Sequence, residues 1–226
     1  VALQKKNHNM FYQGQRKLQM SKPKLLDLFC CQGGAGMGYS HAGFEVTGID
    51  HKPQPRYPFE FHQADSFEYL KKHGREFDVI HASPPCQRYS GLTPVAYRGN
   101  HPDLISKMRK SLQAIGKPYI IENVRGAIQL LESPLMLCGT MFGLKVRRHR
   151  YFEIYPRIAP PILGCDHTFY PVLISGTHNR KTGRFEYSAQ ECRDAADLQW
   201  MTRKGMDEAI PPAYTEWIGR ELIKMI

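Results

Sequence analysis

Three groups in this chain have the residue types and neighbours to do covalent chemistry together. The stretch HASPPCQRYSGL (81–92) puts Cys86 behind two prolines at the end of an apolar run. The prolines fix the backbone, so the thiol has a defined direction. A cysteine next to an apolar run is commonly inert packing, but polar Gln87, Arg88 and Ser90 follow at once, which favours a thiol aimed at a ligand. Glu122 ends the apolar run in KPYIIENV (117–124). A carboxyl there is either half of a capping Glu-Asn pair or an acid whose pKa burial raises until it can donate a proton. RRHRYFEI (147–154) supplies Arg148 and Arg150, two apart and so on the same side of an incipient strand. Thiol, acid and guanidinium together suit an electron-poor ring that must be attacked, protonated and held.

A second set of residues suits a nucleoside. FCCQGGAGMG (29–38) is a glycine-rich turn where backbone can approach a ligand closely and a helix start offers free N–H groups. It is neither GxGxxG nor a P-loop, so by itself it is no more than a tight turn. Asp50 ends FEVTGID and Asp65 ends FEFHQAD. Each aspartate taken singly suits a helix cap. In register on successive strands beside the turn, they describe a nucleoside pocket, Asp50 for a ribose hydroxyl pair and Asp65 for an adenine amino group.

Positioning these groups requires strands that end at one edge. KLLDLF (24–29), FEVTGID (44–50), FEFHQAD (59–65), FDVIHAS (77–83) and KPYIIENV (117–124) read as five strands. GMGYSHAG, SFEYLKKHG and HPDLISKMRKSLQAIG (101–116) read as helices between them, the last with Leu104, Ile105, Met108, Leu112 and Ile115 at helical spacing and a closing glycine. Near-continuous apolar strands separated by helices predict an α/β fold, a mostly parallel sheet covered on both faces, with ligands at the carboxyl ends of its strands. Beyond Arg150, RYFEIYP is strand-like, IAPPILGCDHTFYP is proline-rich and irregular, and 171–188 reads as a small hairpin around Lys181-Thr182-Gly183. AIPPAYTEWIGRELIKMI predicts a closing helix that packs back on the sheet through Trp217, Ile218 and Leu222.

The 226 residues suit one domain. Residues 1–19 carry four Lys/Arg and no acid and stop before Met20-Ser21, so they read as a leader outside the fold. The remainder keeps 27 basic against 21 acidic residues, a charge of +6, which suits a polyanion partner as well as it suits a soluble basic surface. No apolar stretch reaches the length of a membrane span. The six cysteines are scattered without a CxxC, which argues against a disulfide framework and a zinc knuckle and for a reducing, cytoplasmic setting. Cys165-Asp166-His167 has no second ligand pair at the usual spacing, so no metal is expected.

The order DLFCCQGGAG, GID, QAD, SPPCQ, IENV, RRHRYF and IPPAYTEWIG resembles the DNA (cytosine-5) methyltransferase family, from about Lys24 to the C-terminus. The resemblance implies a Rossmann-like S-adenosylmethionine-dependent methyltransferase fold, with a catalytic domain over 20–154 and 190–226 and a reduced target recognition region over 155–189. It implies S-adenosylmethionine as methyl donor and a cytosine flipped from duplex DNA as acceptor, acted on by a monomer. Cys86, Glu122, Arg148 and Arg150 match the catalytic positions. Phe29, Cys31, Gln32, Gly33, Gly34, Asp50, His51, Asp65, Ser66, Pro85, Leu104 and Ala209 match the cofactor contacts. Gln87, Arg88, Ser90, Arg180, Lys181 and Arg184 are the expected DNA contacts.

The chain departs from that pattern in four places. Cys31-Gln32 replaces the usual Gly-x and would crowd the amino acid end of the donor, so a modified donor is an alternative. Val146 stands for a glutamine before the RxR pair, and Asp207-Glu208 stands for Gly-Asn before Ala209. The short recognition region predicts a short or relaxed target sequence. Rival readings are an enzyme acting on single strands or free nucleotides, an inactive DNA-binding homologue, and, last, a cysteine hydrolase, for which no histidine is partnered with Cys86 by motif.

Overall fold

The structure is a computed structural model that describes residues 21–162, 164–174 and 186–226. Its centre is a seven-stranded sheet in the order β3-β2-β1-β4-β5-β7-β6. In chain order the strands are β1 (Lys24–Leu28), β2 (Glu45–Asp50), β3 (Glu60–Gln63), β4 (Val79–Ala82), β5 (Tyr119–Asn123), β6 (Leu135–Leu137) and β7 (Arg150–Tyr155). The helices are α1 (Gly34–Ala42), α2 (Ser66–His73), α3 (Val95–Arg98), α4 (Ile105–Ile115), α5 (Ala189–Ala196), α6 (Arg203–Glu208) and α7 (Pro212–Ile223). Strand β7 runs against both its neighbours, and the ladders from β3 through β5 are parallel. The predicted α/β class is therefore borne out, and β7 turns out to be the antiparallel member.

Alternation along the strands builds two cores. Leu25, Val46, Val79, Ile120 and Ile154 face α1 and α7 and pack with Tyr39, Phe44, Tyr214, Ile218 and Leu222. Leu26, Leu28, Ile49, Ile80 and Ile121 face the other way, onto Leu70 of α2 and Ile105, Met108 and Leu112 of α4. The closing helix packs back as predicted, with Tyr214, Ile218 and Leu222 fully buried and Trp217 partly so. Each such side chain contributes about 1.5–3 kcal/mol. Gly38 is what lets α1 and α7 approach: a Cβ there would run into the Pro212 carbonyl and the Thr215 hydroxyl. A third cluster joins Val146 and Ile174 to Cys192, Ala196, Leu198, Met201 and Met206 of the α5–α6 region.

Register brings the strand ends level. Leu28 pairs with Ile49 and with Ala82, and Ala82 pairs with Ile121. Phe29, Asp50, Ser83 and Glu122 therefore emerge at one edge. The strand order reverses between β1 and β4, which is where an open sheet of this kind leaves a crevice.

Some elements differ from the sequence reading. β3 is only four residues and largely exposed, as befits an edge strand. The described residues of 158–171 are irregular as predicted; residues 171–174, expected to enter a hairpin, form no strand, and the hairpin centre predicted at Lys181-Thr182-Gly183 lies outside the described residues. Among the described residues no helix is long and apolar enough to cross a membrane.

Candidate active site

Cys86, Glu122 and Arg150 line one open cleft, together with Phe29, Cys31, Gln32, Gly34, Asp50, His51, Pro85, Gln87 and Ala209. The cleft opens at the β1/β4 crevice. Most of the residues expected to bind a nucleoside and a ring are thus brought together.

The cysteine is held by its neighbour strand. After β4 the chain runs through Ser83-Pro84-Pro85, and the Asn123 side-chain amide donates to the Pro84 carbonyl at 3.0 Å. The same side chain accepts from the Val124 N–H at 3.0 Å. This pegs the proline turn to the end of β5. Cys86 then starts a turn, its carbonyl accepting from the Tyr89 and Ser90 N–H groups, both at 2.9 Å. The thiol is half-buried; burial and the Glu122 carboxylate push its pKa up, and Arg150 and Arg148 pull it partly back.

Glu122 is 6% exposed, and its Oε1 lies 3.0 Å from Arg150 Nε. Burial raises its pKa despite Arg150, a hydrogen bond from Ser83 and the more distant Arg148. Behind it runs a polar chain: His81 Nε2 is 2.9 Å from Ser83 Oγ, and His81 Nδ1 is 3.0 Å from the Tyr39 hydroxyl. Burial lowers the His81 pKa to about 3, so the ring is neutral. Burial also holds the Tyr39 hydroxyl protonated. The network is satisfied when Tyr39 donates to Nδ1, Nε2–H donates to Ser83, and the Ser83 hydroxyl donates to Glu122.

Arg148 does not do what its spacing suggested. It precedes β7 rather than sharing a strand face with Arg150, and it does not line the cleft. Its buried guanidinium donates to the carbonyls of Ala209 at 2.8 Å and Asp207 at 2.5 Å. Through these bonds the arginine ties the carbonyls of residues 207 and 209 to the chain just before β7, a positioning role.

At the glycine-rich turn the backbone is tight: Phe29 and Cys31 both have positive φ, and a Cβ at Gly33 (φ 83) would run into Pro58 and the Tyr57 ring. Asp50 accepts from the Cys31 N–H at 3.1 Å and the Lys52 N–H at 2.9 Å, and it pairs with His51 at 3.2 Å. Gln32 lines the cleft but its side chain is spoken for by Thr202, through two bonds of 3.0 Å. Cys31 lies against Glu208; burial and that carboxylate raise its pKa, so the thiol is neutral. Asp65 accepts from the Phe67 and Glu68 N–H groups and caps α2, the commoner fate of such an aspartate. Asp65, Ser66, Gly33 and Leu104 are not among the residues lining this cleft.

Of the expected DNA contacts, Gln87 lines the cleft. Arg88 donates to the His101 carbonyl at 3.0 Å, and the Ser90 hydroxyl accepts from the Leu92 N–H at 3.2 Å, so both brace the loop after Cys86. Arg180, Lys181 and Arg184 lie outside the described residues.

Sequence reasoning missed Asp27, Ser83, Asn123, His81, Asp207 and Glu208 as parts of the site. Asp27 lines the cleft at 1% exposure and accepts from the Tyr57 hydroxyl at 3.1 Å. Burial raises its pKa to about 7. The signal was present: it is the one charged residue within LLDLF, the apolar part of that run.

No protein-family model matches the chain, and no curated protein matches it. Solved structures overlap part of it. They include a DNA modification methyltransferase encoded within a prophage of E. coli (21% identity, 67% of this chain and 53% of that one, TM-score 0.46). Dnmt2 methyltransferase from S. pombe is similar at 16% identity over 58% of this chain and 48% of its own, with TM-score 0.42. EhMeth methyltransferase from Entamoeba histolytica is similar at 14% identity over 64% and 58%, with TM-score 0.43. The chain spans about half the length of these structures, and nothing about its substrate follows from so partial a likeness.

Proposed function

We propose that this chain transfers a methyl group from S-adenosylmethionine to carbon 5 of cytosine in DNA, through a covalent adduct of Cys86 at carbon 6. The observation that carries the reading is the convergence of Cys86, Glu122 and Arg150 in one cleft with the glycine-rich turn and Asp50.

The residues fit the donor. Asp50, Asp207 and Glu208 line the cleft, and this acidic lining suits a ligand carrying a sulfonium and an ammonium. When bound, S-adenosylmethionine supplies an electrophilic methyl group that a carbon nucleophile can take.

Carbon 5 of cytosine is not nucleophilic enough unaided. The sulfur of Cys86 forms a bond to carbon 6 and pushes the ring electrons towards carbon 5. Glu122, whose pKa is raised by burial, protonates or hydrogen-bonds ring nitrogen 3 and makes carbon 6 a better electrophile. Arg150, paired with Glu122, is placed to hold the ring's carbonyl oxygen and to favour the thiolate. Once carbon 5 has taken the methyl group and left the donor a neutral thioether, the carbon 5 proton passes to solvent, the carbon 6–sulfur bond breaks to release Cys86 as thiolate, and ring nitrogen 3 returns its proton to Glu122. The target must leave the base stack to reach the cleft. Leu92 on the loop after Cys86 and Val95 and Tyr97 of α3, all exposed, are suited to occupy the space it vacates. Residues 155–189 form the reduced recognition region in this reading.

The test is mass spectrometry of nucleosides from DNA incubated with the protein and labelled S-adenosylmethionine. Labelled 5-methylcytosine is expected with the native chain and none with Cys86→Ala. A cytosine bearing fluorine at carbon 5 has no proton to lose there, so it should leave a stable protein–DNA adduct at Cys86. Label on another atom, or undiminished transfer by Cys86→Ala, refutes the reading.

A further inference from the structure

Four metal-ligating side chains meet away from the cleft. Cys138 follows β6, His149 precedes β7, and Cys165 and His167 belong to the irregular segment after β7. One ligand atom from each lies within 4.8 Å of every other. Cys138 Sγ is 3.7 Å from His167 Nε2, Cys165 Sγ is 3.7 Å from His149 Nε2, and the two Nε2 atoms are 3.3 Å apart. Cys165-Asp166-His167 does therefore have a second ligand pair; it comes from residues 16 or more positions away in sequence, which no spacing rule would have joined. The metal-free expectation is revised accordingly.

From these contacts we infer that Cys138, His149, Cys165 and His167 bind a zinc ion in a closed, tetrahedral, structural site. Zinc takes sulfur at about 2.3 Å and imidazole nitrogen at about 2.0–2.1 Å, so a tetrahedron has S···N edges of about 3.5–3.6 Å and an N···N edge of about 3.3–3.4 Å. The spacings found are these, within about 0.2 Å. Metal-free, the same atoms are poorly matched: at most one of the two facing Nε2 atoms can donate to the other, and the sulfurs offer only weak donors and acceptors. Two thiolates and two imidazoles with no carboxylate select a borderline-soft ion over magnesium or calcium. The neighbouring Asp166 carboxylate is used by the Thr168 N–H and hydroxyl.

The surroundings suit a bound ion. Thr140 Oγ1 is 3.3 Å from Cys138 Sγ and accepts from the Asp166 N–H at 3.1 Å, so its hydroxyl can support a thiolate while it ties down the loop. Cys138 is fully buried, yet among the described residues the middle of the loop that carries its partners buries little apolar surface: Ile162 and Tyr170 are exposed, while Ile158, Val172 and Ile174 pack at its two ends. A segment that buries so little is held by a ligand cluster where it lacks a core. His149 is bonded in sequence to Arg150, whose Nη1 donates to the His149 carbonyl at 3.0 Å. The ion would thus anchor both the irregular segment and the start of β7, the strand that presents Arg150.

The inference is independent of the methyl-transfer reading. It is tested on the full chain, purified without chelator, by elemental mass spectrometry. About one zinc per chain is expected. Stripped protein titrated with cobalt(II) should develop the intense visible absorption of a tetrahedral centre with thiolate ligands. Cys165→Ser and His167→Asn, both on the outer segment, should lower zinc content by at least about tenfold, while an exposed histidine elsewhere, tested as His62→Asn, should leave it unchanged. Zinc should also slow proteolysis within 157–174. The inference is overturned if the native chain takes up neither zinc nor cobalt. It also fails if both variants keep full zinc, or if the intact mass shows Cys138 and Cys165 joined as a disulfide.

Discussion

Replacing Asp27 by asparagine should remove a pH-dependent cost of folding. Asp27 is 1% exposed, and burial raises its pKa from 3.8 to about 7 against hydrogen bonds from Tyr57 and the Gly36 N–H. Below pH 3.8 the carboxyl is neutral whether the chain is folded or not, and the group costs nothing. Between 3.8 and 7 the unfolded chain loses its proton while the folded chain keeps one, so stability falls by about 1.4 kcal/mol per pH unit. Above 7 both are ionised and the loss levels off at about 4 kcal/mol, the product of the shift and that slope. Asp27→Asn cannot ionise, yet its amide oxygen can still accept from Tyr57. The stability of the variant relative to the native chain should therefore rise by about 3 kcal/mol between pH 5 and pH 8. His81 titrates alike in both proteins and cancels from the difference. Urea unfolding followed by the fluorescence of Trp200 and Trp217 measures it, with equal slopes required at each pH. Parallel stability profiles for the two proteins would show that Asp27 is not held neutral by burial, and the reasoning would fail.

Glu122→Gln removes the main negative charge beside the Cys86 thiol. Alkylation of Cys86 at fixed pH should become several-fold faster, while methyl transfer falls by about 10²–10⁴-fold; a thiol no more reactive than the native one would contradict the placement. Arg109 holds the buried Glu153 through two bonds, Nε at 2.8 Å and Nη2 at 2.5 Å. Arg109→Met leaves that carboxylate unpaired and should cost about 3–5 kcal/mol in urea unfolding, with a loss under 1 kcal/mol counting against the pair's role. Arg148→Lys should raise the Michaelis constant for the donor, because the 207–210 segment is released, and leave the pH dependence of Cys86 alkylation nearly unchanged. A large shift in that dependence would return Arg148 to the cleft.

The parts of this molecule that sequence made legible are those with a local physical cause. Leu25, Leu26 and Leu28 must lie in a strand covered on both faces, and Ile105, Met108 and Leu112 must share a helix side. Cys86 and Glu122 were recoverable because each ends an apolar run, and in a parallel sheet such ends gather. The rest depends on where distant segments come to lie. The three residues of β6 and the six of α6 carry too little periodicity to stand out. Two arginines at spacing two point together only if both lie in one strand, and β7 begins at the second. Asp65 had two competing uses, and the nearest free N–H groups, those of its own helix, won. The Cys–His cluster joins positions 138, 149, 165 and 167 only after β6 and β7 have paired.

The single amide of Asn123 that fastens the proline turn to β5 has an evolutionary corollary. Sulfur and carboxyl keep their mutual distance through rigid framework, upstream of the largely exposed stretch that begins at Gly91. On the proposed reading, substitutions in that stretch can accumulate without moving the thiol against the carboxyl, so new target preferences would be open to selection while the chemistry stays fixed.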